Sequence, residues 1–349
     1  MSDSKPPETS DFDLDRALAA LRGRKHALIC THDNPDPDGM AAMEGMRVLL
    51  DRGGTRGTLG LGGIIGRAEN RAMVQVLGIP MVPMDRIDPG NFDLVVLIDT
   101  QPGAGNNSLP TDLRVDVVID HHPQRHDLPF DIQWCDIRPA IGASSTIVFT
   151  YLRRCGVPID KRLATAFLYA LKTETRDLAR EASPAERSAY LELMGLADHE
   201  LLQRIASPKV PREHFAALQR AIARTRVVGK LLLCDLGELD YPDLVAEVAD
   251  LLQRYQGARW VLCGGHHQGR GVLSLRTDHR DGGAGSVMKA IVAHDGTAGG
   301  HGMIAGAQLA AKNPRGAATT EGFVACAERL VAQLGLSDEE PGRLVLDEG

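Results

Sequence analysis

Three short apolar segments in the N-terminal third of the chain are each followed by acidic or histidine side chains. The segments and their followers are 26–30 with His32, 93–98 with Asp99, and 115–119 with Asp120, His121 and His122. Runs of branched apolar residues of this length are typical of strands buried on both faces of a parallel sheet. Because ligands bind outside the carboxyl ends of such strands, we expect these polar side chains to meet in one crevice.

Helical spacing of apolar residues surrounds these segments. Leu14, Leu18 and Leu21 mark one side of a first helix. A second helix is predicted from about Gly39. A glycine-rich stretch, 53–66, follows it and leads to a third predicted helix at 68–77. Further helical pattern runs through 144–202. The alternation of strands and helices predicts an α/β fold with right-handed crossovers and a parallel sheet.

Two prolines three residues apart, Pro208 and Pro211, predict a linker at 207–211, because neither can continue a helix. The pattern then restarts as a second α/β unit. Its predicted strands are 227–234, 259–263 and 271–276, and its predicted helices are 243–255, 286–293 and 319–334. We therefore predict a disordered tail at 1–12, a first domain at 13–206, a smaller second domain at 212–335, and a frayed acidic tail at 336–349.

Composition narrows the class of protein. The 349 residues are 43% hydrophobic and 24% charged, as in ordinary soluble globular proteins of two domains. The six cysteines form no CxxC pair, which argues against a zinc ribbon or a disulfide framework. We expect no membrane span, and the polar, acidic first residues are unlike a signal peptide, so we expect a cytoplasmic protein. The net charge of −7 disfavours long duplex nucleic acid but leaves a short or small anionic substrate open.

The order of these motifs resembles the DHH phosphoesterases. The sequence from His32 to Asp38 is similar to their first motif, Asp99 to the second, and Asp120-His121-His122 to the motif that names the family. Further along, Ala298-Gly299-Gly300-His301 resembles the GGGH element of the associated DHHA1 domain, with Ala298 in place of the first glycine, and Ser274-Leu275-Arg276 resembles its substrate-arginine strand. The matches cover about residues 14–335 and look most like the branch of nanoRNases and pAp phosphatases.

The resemblance implies a DHH catalytic domain at 13–206, a DHHA1 substrate-binding domain at 212–335, and an active site in the cleft between them. It also implies two divalent metal ions. The ligands would be His32, Asp36 and Asp99 for the first ion, and Asp38, Asp99 and His121 for the second. Carboxylate and imidazole ligands without thiolate favour Mn²⁺ over a structural zinc site, with Mg²⁺, Fe²⁺ and Co²⁺ as alternatives.

Two further side chains beside the ions are predicted to act in catalysis. His122 would contact the phosphate or donate a proton. Asp120 would orient a histidine, with a structural strand-end carboxylate as the alternative.

One position departs from the family pattern. Thr173-Glu174-Thr175 stands where the fourth motif has an aspartate between the two threonines. We predict that Glu174 binds the second ion through its longer side chain. Asp177 is a rival ligand, and an exposed Glu174 at a helix end is a third interpretation.

In the second domain, the resemblance implies that Arg276, Gly299, Gly300 and His301 bind substrate. We expect hydrolysis of short oligoribonucleotides, nucleoside 3′,5′-bisphosphates (pAp) or both. The partners would be short single-stranded RNA, a dinucleotide or a nucleoside bisphosphate, and a homodimer is left open. The alternatives are a cyclic-dinucleotide or linear dinucleotide phosphodiesterase and, in another class, a nucleotide-binding regulator with a decayed metal site.

Overall fold

The computed structural model describes residues 13–129, 131–180, 182–279, 282–309 and 318–345. The contacts between residues divide the chain into two compact units, and the division falls between Pro208 and Lys209. The tail predicted at 1–12 lies outside the described residues. No helix in the described ranges is long and apolar enough to cross a membrane.

The first unit contains six strands and seven α-helices in its described part. They are α1 (Leu14–Ala20), β1 (His26–Cys30), α2 (Pro37–Arg52), β2 (Arg56–Leu61), α3 (Ala68–Leu77), β3 (Met81–Pro83), β4 (Leu94–Ile98), β5 (Val117–Asp120), β6 (Trp134–Ile137), α4 (Ser144–Arg154), α5 (Lys161–Glu174), α6 (Pro184–Leu196) and α7 (His199–Ala206).

The six strands form one sheet in the order β3-β2-β1-β4-β5-β6, and every neighbouring pair is parallel. The predicted parallel sheet is therefore confirmed. Strand β1 lies between β2 and β4, so the chain moves outward in one direction after β1 and in the other after β4. Open parallel sheets form their ligand crevice at such a reversal of strand order, outside the carboxyl ends of the strands.

The two faces of this sheet are covered differently. Helices α2, α4 and α5 pack on one face and bury the largest apolar cluster, which includes Met43, Val148 and Phe167. The other face carries a smaller cluster around Leu28, Leu97 and Val118, covered by short connecting segments. The carboxyl ends of β1 and β4 thus sit on an apolar base, which holds the polar residues after them in place.

The second unit is built around a seven-stranded sheet. Its elements are α8 (Arg212–Arg224), β7 (Arg226–Val228), β8 (Leu231–Glu238), α9 (Leu244–Leu252), β9 (Trp260–His267), β10 (Arg270–Thr277), α10 (Ala284–Val292), β11 (Gly296–His301), β12 (Ile304–Leu309), α11 (Ala318–Gln333) and β13 (Gly342–Arg343). The strand order is β11-β12-β10-β9-β8-β7-β13, and only the β8–β9 pair is parallel. Helices α8 and α9 pack on one face, and α10 and α11 on the other.

Several elements differ from the sequence prediction. The glycine-rich stretch 53–66 contains strand β2. A Cβ on Gly60 would lie 2.7 Å from both Cys30 Sγ and Met84 Sδ, so glycine is needed there for close packing rather than for a turn. The prediction of a single strand over 227–234 is wrong, because the chain reverses direction after Val228 and forms two antiparallel strands, β7 and β8. The prediction of a frayed tail is wrong in part, because β13 pairs with β7.

Candidate metal centre

Asp99 lies at the centre of the polar cluster after β4. Its backbone has a φ of 60°, a left-handed conformation that aspartate tolerates better than most residues. Its N–H donates to the carbonyl of Ile119 on the neighbouring strand at 2.9 Å. The carboxylate is buried and lies 3.5 Å from His32 Nε2 and 3.4 Å from His121 Nε2. This conformation directs the carboxylate to histidines that follow two other strands.

His32 presents one ring nitrogen to two carboxylates. Its Nδ1 lies 3.0 Å from the carbonyl oxygen of Asp33 and donates to it. Its Nε2 lies 3.8 Å from Asp36 Oδ1 and 3.5 Å from Asp99 Oδ2. Burial lowers the pKa of His32, but the nearby carboxylates of Asp36 and Asp99 outweigh it and raise the pKa well above its ordinary value. A neutral ring would aim its Nε2 lone pair at two negative groups, so this position favours a positive charge, either a proton or a metal ion.

Asp36 also caps helix α2. Its Oδ1 accepts the backbone N–H of Gly39 at 3.0 Å, and Pro37 occupies the first helical position. Burial raises the pKa of Asp36, but His32 and the Gly39 N–H outweigh it and hold the pKa below its usual range. The cap fixes a carboxylate that stays ionised beside His32.

Asp120 holds His122 through two contacts. Its Oδ1 lies 2.8 Å from His122 Nδ1 and also accepts the His122 backbone N–H at 3.1 Å. Its Oδ2 accepts Gln101 Nε2 at 2.6 Å. Burial lowers the pKa of His122, but the bond to Asp120 and the charge of Asp99 outweigh it and raise the pKa to about 9. The His122 side chain is 41% exposed, so a buried carboxylate holds a ring that still reaches solvent.

Asp38 caps helix α4 from a distance in the sequence. Its Oδ2 accepts the N–H of Ser144 at 2.7 Å, and its Oδ1 accepts both the N–H and the hydroxyl of Ser145. The N-cap residue of α4, Ala143, makes no side-chain cap itself. Burial, followed by the charge of Asp99, raises the pKa of Asp38. Both oxygens of its carboxylate therefore accept hydrogen bonds from the N-terminus of α4, beside the cluster.

Of the two rivals at the fourth motif, Glu174 is the one beside the cluster. Glu174 ends α5, and its charge acts on both Asp38 and His122. Asp177 is 55% exposed and bonds instead to Lys172 and to the hydroxyl of Tyr190. The metal-ligand role of Glu174 stays a prediction.

Two groups of donor atoms lie close enough together to hold metal ions. One is His32, Asp36 and Asp99, and the other is Asp99, His121 and His122. Within each group the donor atoms lie within 4.8 Å of one another, and Asp99 belongs to both groups. Among the described residues, neither group includes Asp38 or Glu174. Oxygen and imidazole donors with one shared carboxylate fit divalent ions of the first transition row.

The predicted substrate residues belong to the second unit. Arg276 is only 5% exposed; its Nε donates to Asp250 Oδ1 and its Nη1 to Ser274 Oγ, both at 2.7 Å. Gly299 and Gly300 lie on β11 opposite β12, and a Cβ on Gly285 of α10 would collide with the Gly300 backbone. These contacts give Arg276 and Gly300 structural roles.

The backbone of His301 pairs with Ile304, and its side chain lies outside what the structure describes. The substrate roles of the second-unit residues and the placing of the site in an interdomain cleft stay predictions.

Sequence reasoning missed four residues that hold the cluster. They are Gln101 at Asp120, Ser144 at Asp99, Ser145 at Asp38, and Arg180 at Glu174. A serine pair opening a helix is a recognisable signal, but it normally indicates a cap for its own helix. No local pattern indicates that these serines bond to carboxylates more than 40 residues away.

Comparison with known proteins supports the family resemblance. Residues 26–171 match the model of the DHH family, N-terminal domain. The chain is 33% identical over 232 residues, 66% of its length, to an uncharacterized protein of Methanocaldococcus jannaschii, and the chain spans about half the length of that relative (47%). The fold is similar to an exopolyphosphatase-related protein from Bacteroides fragilis, with a TM-score of 0.68 and 14% identity, covering 91% of this chain and 96% of that one. Residues 26–171 of the first unit are thus similar to the N-terminal domain of the DHH family, and the second sheet domain is consistent with the DHH/DHHA1 architecture.

Proposed function

We propose that this protein is a metal-dependent phosphoesterase that hydrolyses short oligoribonucleotides, nucleoside 3′,5′-bisphosphates or both. The observation that carries the proposal is the Asp99 carboxylate, which belongs to both groups of donor atoms that lie close enough together to hold a metal ion. Paired sites joined in this way are typical of enzymes that displace an oxygen at phosphorus. The DHH-family match of residues 26–171 supports the same class of reaction.

His32, Asp36 and Asp99 would hold one ion. Asp99 and His121 would hold the other, with Asp38 and Glu174 as its further predicted ligands. We favour Mn²⁺ because the donors are carboxylates and imidazoles without a thiolate. When bound, such ions lower the pKa of the attacking water and offset negative charge on the phosphoryl oxygens.

His122 would act on the phosphoryl group or the leaving oxygen. In the metal-free protein, Asp120 and Asp99 raise the pKa of His122 to about 9, which favours the protonated ring, and Asp120 fixes the ring through Nδ1. A protonated ring that reaches solvent can donate a hydrogen bond to a phosphoryl oxygen or a proton to the departing oxygen. Gln101 holds the second oxygen of Asp120 and so fixes the carboxylate that orients the ring.

The choice of substrate rests on the similarity to the nanoRNase and pAp-phosphatase branch and on the charge of the chain. A net charge of −7 suits a small substrate held by a few local contacts rather than a long strand. Arg276, Gly299, Gly300 and His301 are the proposed nucleotide contacts. The proposed location is the cytoplasm, where such short substrates would be encountered.

Initial rates with Mn²⁺ on a panel of substrates test this proposal. The panel would hold pAp, linear dinucleotides, 5-mers, 24-mers, cyclic dinucleotides and pyrophosphate, and Asp99→Asn would serve as the inactive control. We expect pAp or RNAs of two to five nucleotides to be fastest and 24-mers to be slow. Fastest cleavage of a cyclic dinucleotide would support the phosphodiesterase alternative. A protein that binds nucleotide but neither holds Mn²⁺ nor turns over substrate would be the regulator.

A further inference from the structure

A strained turn follows Glu174. Arg176, Asp177 and Leu178 have φ values of 49°, 54° and 66°, three consecutive non-glycine residues in the left-handed region. Non-glycine residues in this region are strained and persist only where the surroundings enforce the conformation. Here the buried Thr175 holds the turn: its hydroxyl accepts the Leu178 N–H at 3.0 Å, and its carbonyl accepts the Arg180 N–H at 2.8 Å.

The turn returns the side chain of Arg180 to the end of α5. Arg180 Nη2 donates to the backbone carbonyl of Glu174 at 2.7 Å and to Glu174 Oε1 at 3.1 Å. One guanidinium nitrogen therefore fixes both the main chain and the carboxylate of the same residue. The Arg180 side chain is only 11% exposed, and its buried Nε has no hydrogen-bond partner within the part of the chain that the structure describes.

The carboxylate that Arg180 holds lies at the edge of the candidate metal centre. Glu174 raises the pKa of Asp38 and of His122 through its charge, which places its carboxylate near both. His122 belongs to the group of donor atoms formed with Asp99 and His121. Arg180 therefore bonds to the carboxylate that we predict as a further ligand of the second ion.

We infer that Arg180 is a positioning residue that holds the Glu174 carboxylate toward the second metal site. The inference rests on the proposed function. A guanidinium suits this task because it keeps its charge and its planar geometry fixes the directions of its N–H donors. Residues that hydrogen-bond to metal ligands typically change metal affinity by about 10–100-fold when they are replaced.

The test measures Mn²⁺ binding by calorimetry and by electron paramagnetic resonance, so it does not depend on activity. Arg180→Gln and Glu174→Gln should each lower the Mn²⁺ affinity of the weaker site about 10–100-fold and leave the affinity of the tighter site unchanged. The double variant should bind no more weakly than Glu174→Gln, because Arg180 acts through Glu174. Arg180→Lys should recover part of the affinity. The matched control is Arg153→Gln, which breaks the exposed ion pair with Glu192 on α4 and α6 and should leave both affinities unchanged.

Two results would overturn the inference while leaving the proposed function intact. Wild-type Mn²⁺ affinity in Arg180→Gln, with a lowered melting temperature, would make Arg180 a structural cap of α5. Tighter Mn²⁺ binding in Arg180→Gln would mean that Arg180 draws Glu174 away from the ion. If the wild-type protein holds no Mn²⁺ at all, the proposed function and the inference both fail.

Discussion

The hydroxyl of Ser144 donates to Asp99 Oδ1 at 2.9 Å, and both side chains are buried. The backbone N–H of the same residue donates to Asp38 Oδ2 at 2.7 Å. The first residue of α4 thus ties together carboxylates that follow β1 and β4. A helix N-terminus carries partial positive charge, so it offsets part of the burial and mutual repulsion of the two carboxylates before any metal ion binds.

Ser144→Ala should lower kcat/KM while leaving the fold intact. The variant loses the hydroxyl that holds Asp99 and keeps the N–H that holds Asp38. A lost hydrogen bond to a charged acceptor costs about 1.5–3 kcal/mol, or roughly 10–150-fold in kcat/KM if the bond orients the shared carboxylate. Initial rates and Mn²⁺ affinity measure the effect. Thr150→Ala on the same helix, whose hydroxyl bonds only to the Thr146 carbonyl in the described contacts, is the matched control and should behave like the wild type.

Asp38→Ala should destabilise the metal-free protein, because Asp38 caps α4 with three accepted hydrogen bonds. Loss of a helix cap costs about 0.5–2 kcal/mol in the free energy of unfolding. Urea denaturation in excess chelator measures this cost without metal, and Asp38→Asn should lose less because it keeps an acceptor. A residue that served only as a metal ligand would give the opposite result: its removal would relieve repulsion from Asp99 and raise the stability of the metal-free protein.

The strands that carry the cluster could be predicted because their signals are local. The apolar run 94–98 is buried throughout and ends directly before Asp99, as its sequence indicates. Strand β2 could not be predicted from the same signal, because close packing against Cys30 requires glycine at position 60 and glycine weakens a strand pattern.

The residues that hydrogen-bond to the cluster were harder to predict, because their contacts join segments far apart in the sequence or require an unusual backbone conformation. Asp38 and Ser144 are 106 positions apart in the chain, so the cap of α4 has no sequence signature. The return of Arg180 to Glu174 requires three left-handed residues, and none of them is a glycine or an asparagine that would have signalled the turn. The motif residues were therefore predictable, and the residues that orient them were not.

Asp120→Asn should lower the pKa of His122. The raised pKa of about 9 means that the folded protein favours the protonated ring; the resulting stability is fully present below about 6.5 and is lost as pH rises through about 9. Removing the Asp120 charge removes the largest contribution that raises this pKa. NMR titration of the metal-free protein should show the His122 midpoint moving to lower pH. If His122 is the proton donor, the alkaline limb of the pH–rate profile should move in the same direction, and an unmoved limb would assign that proton to another group.

Arg276→Ala should cost stability as well as any substrate binding, because its guanidinium is buried against Asp250 and Ser274. Breaking a buried ion pair costs about 3–5 kcal/mol, and less is expected here because Asp250 is partly exposed. Asp250→Ala separates the two roles: it breaks the same pair but keeps the arginine. Both variants should show a lower free energy of unfolding. If Arg276 contacts the substrate, only Arg276→Ala should weaken nucleotide binding. Calorimetry at a temperature where both variants are folded measures that binding. Equal losses of binding in the two variants would show that Arg276 acts by holding β10 against α9, and would remove it from the proposed substrate contacts.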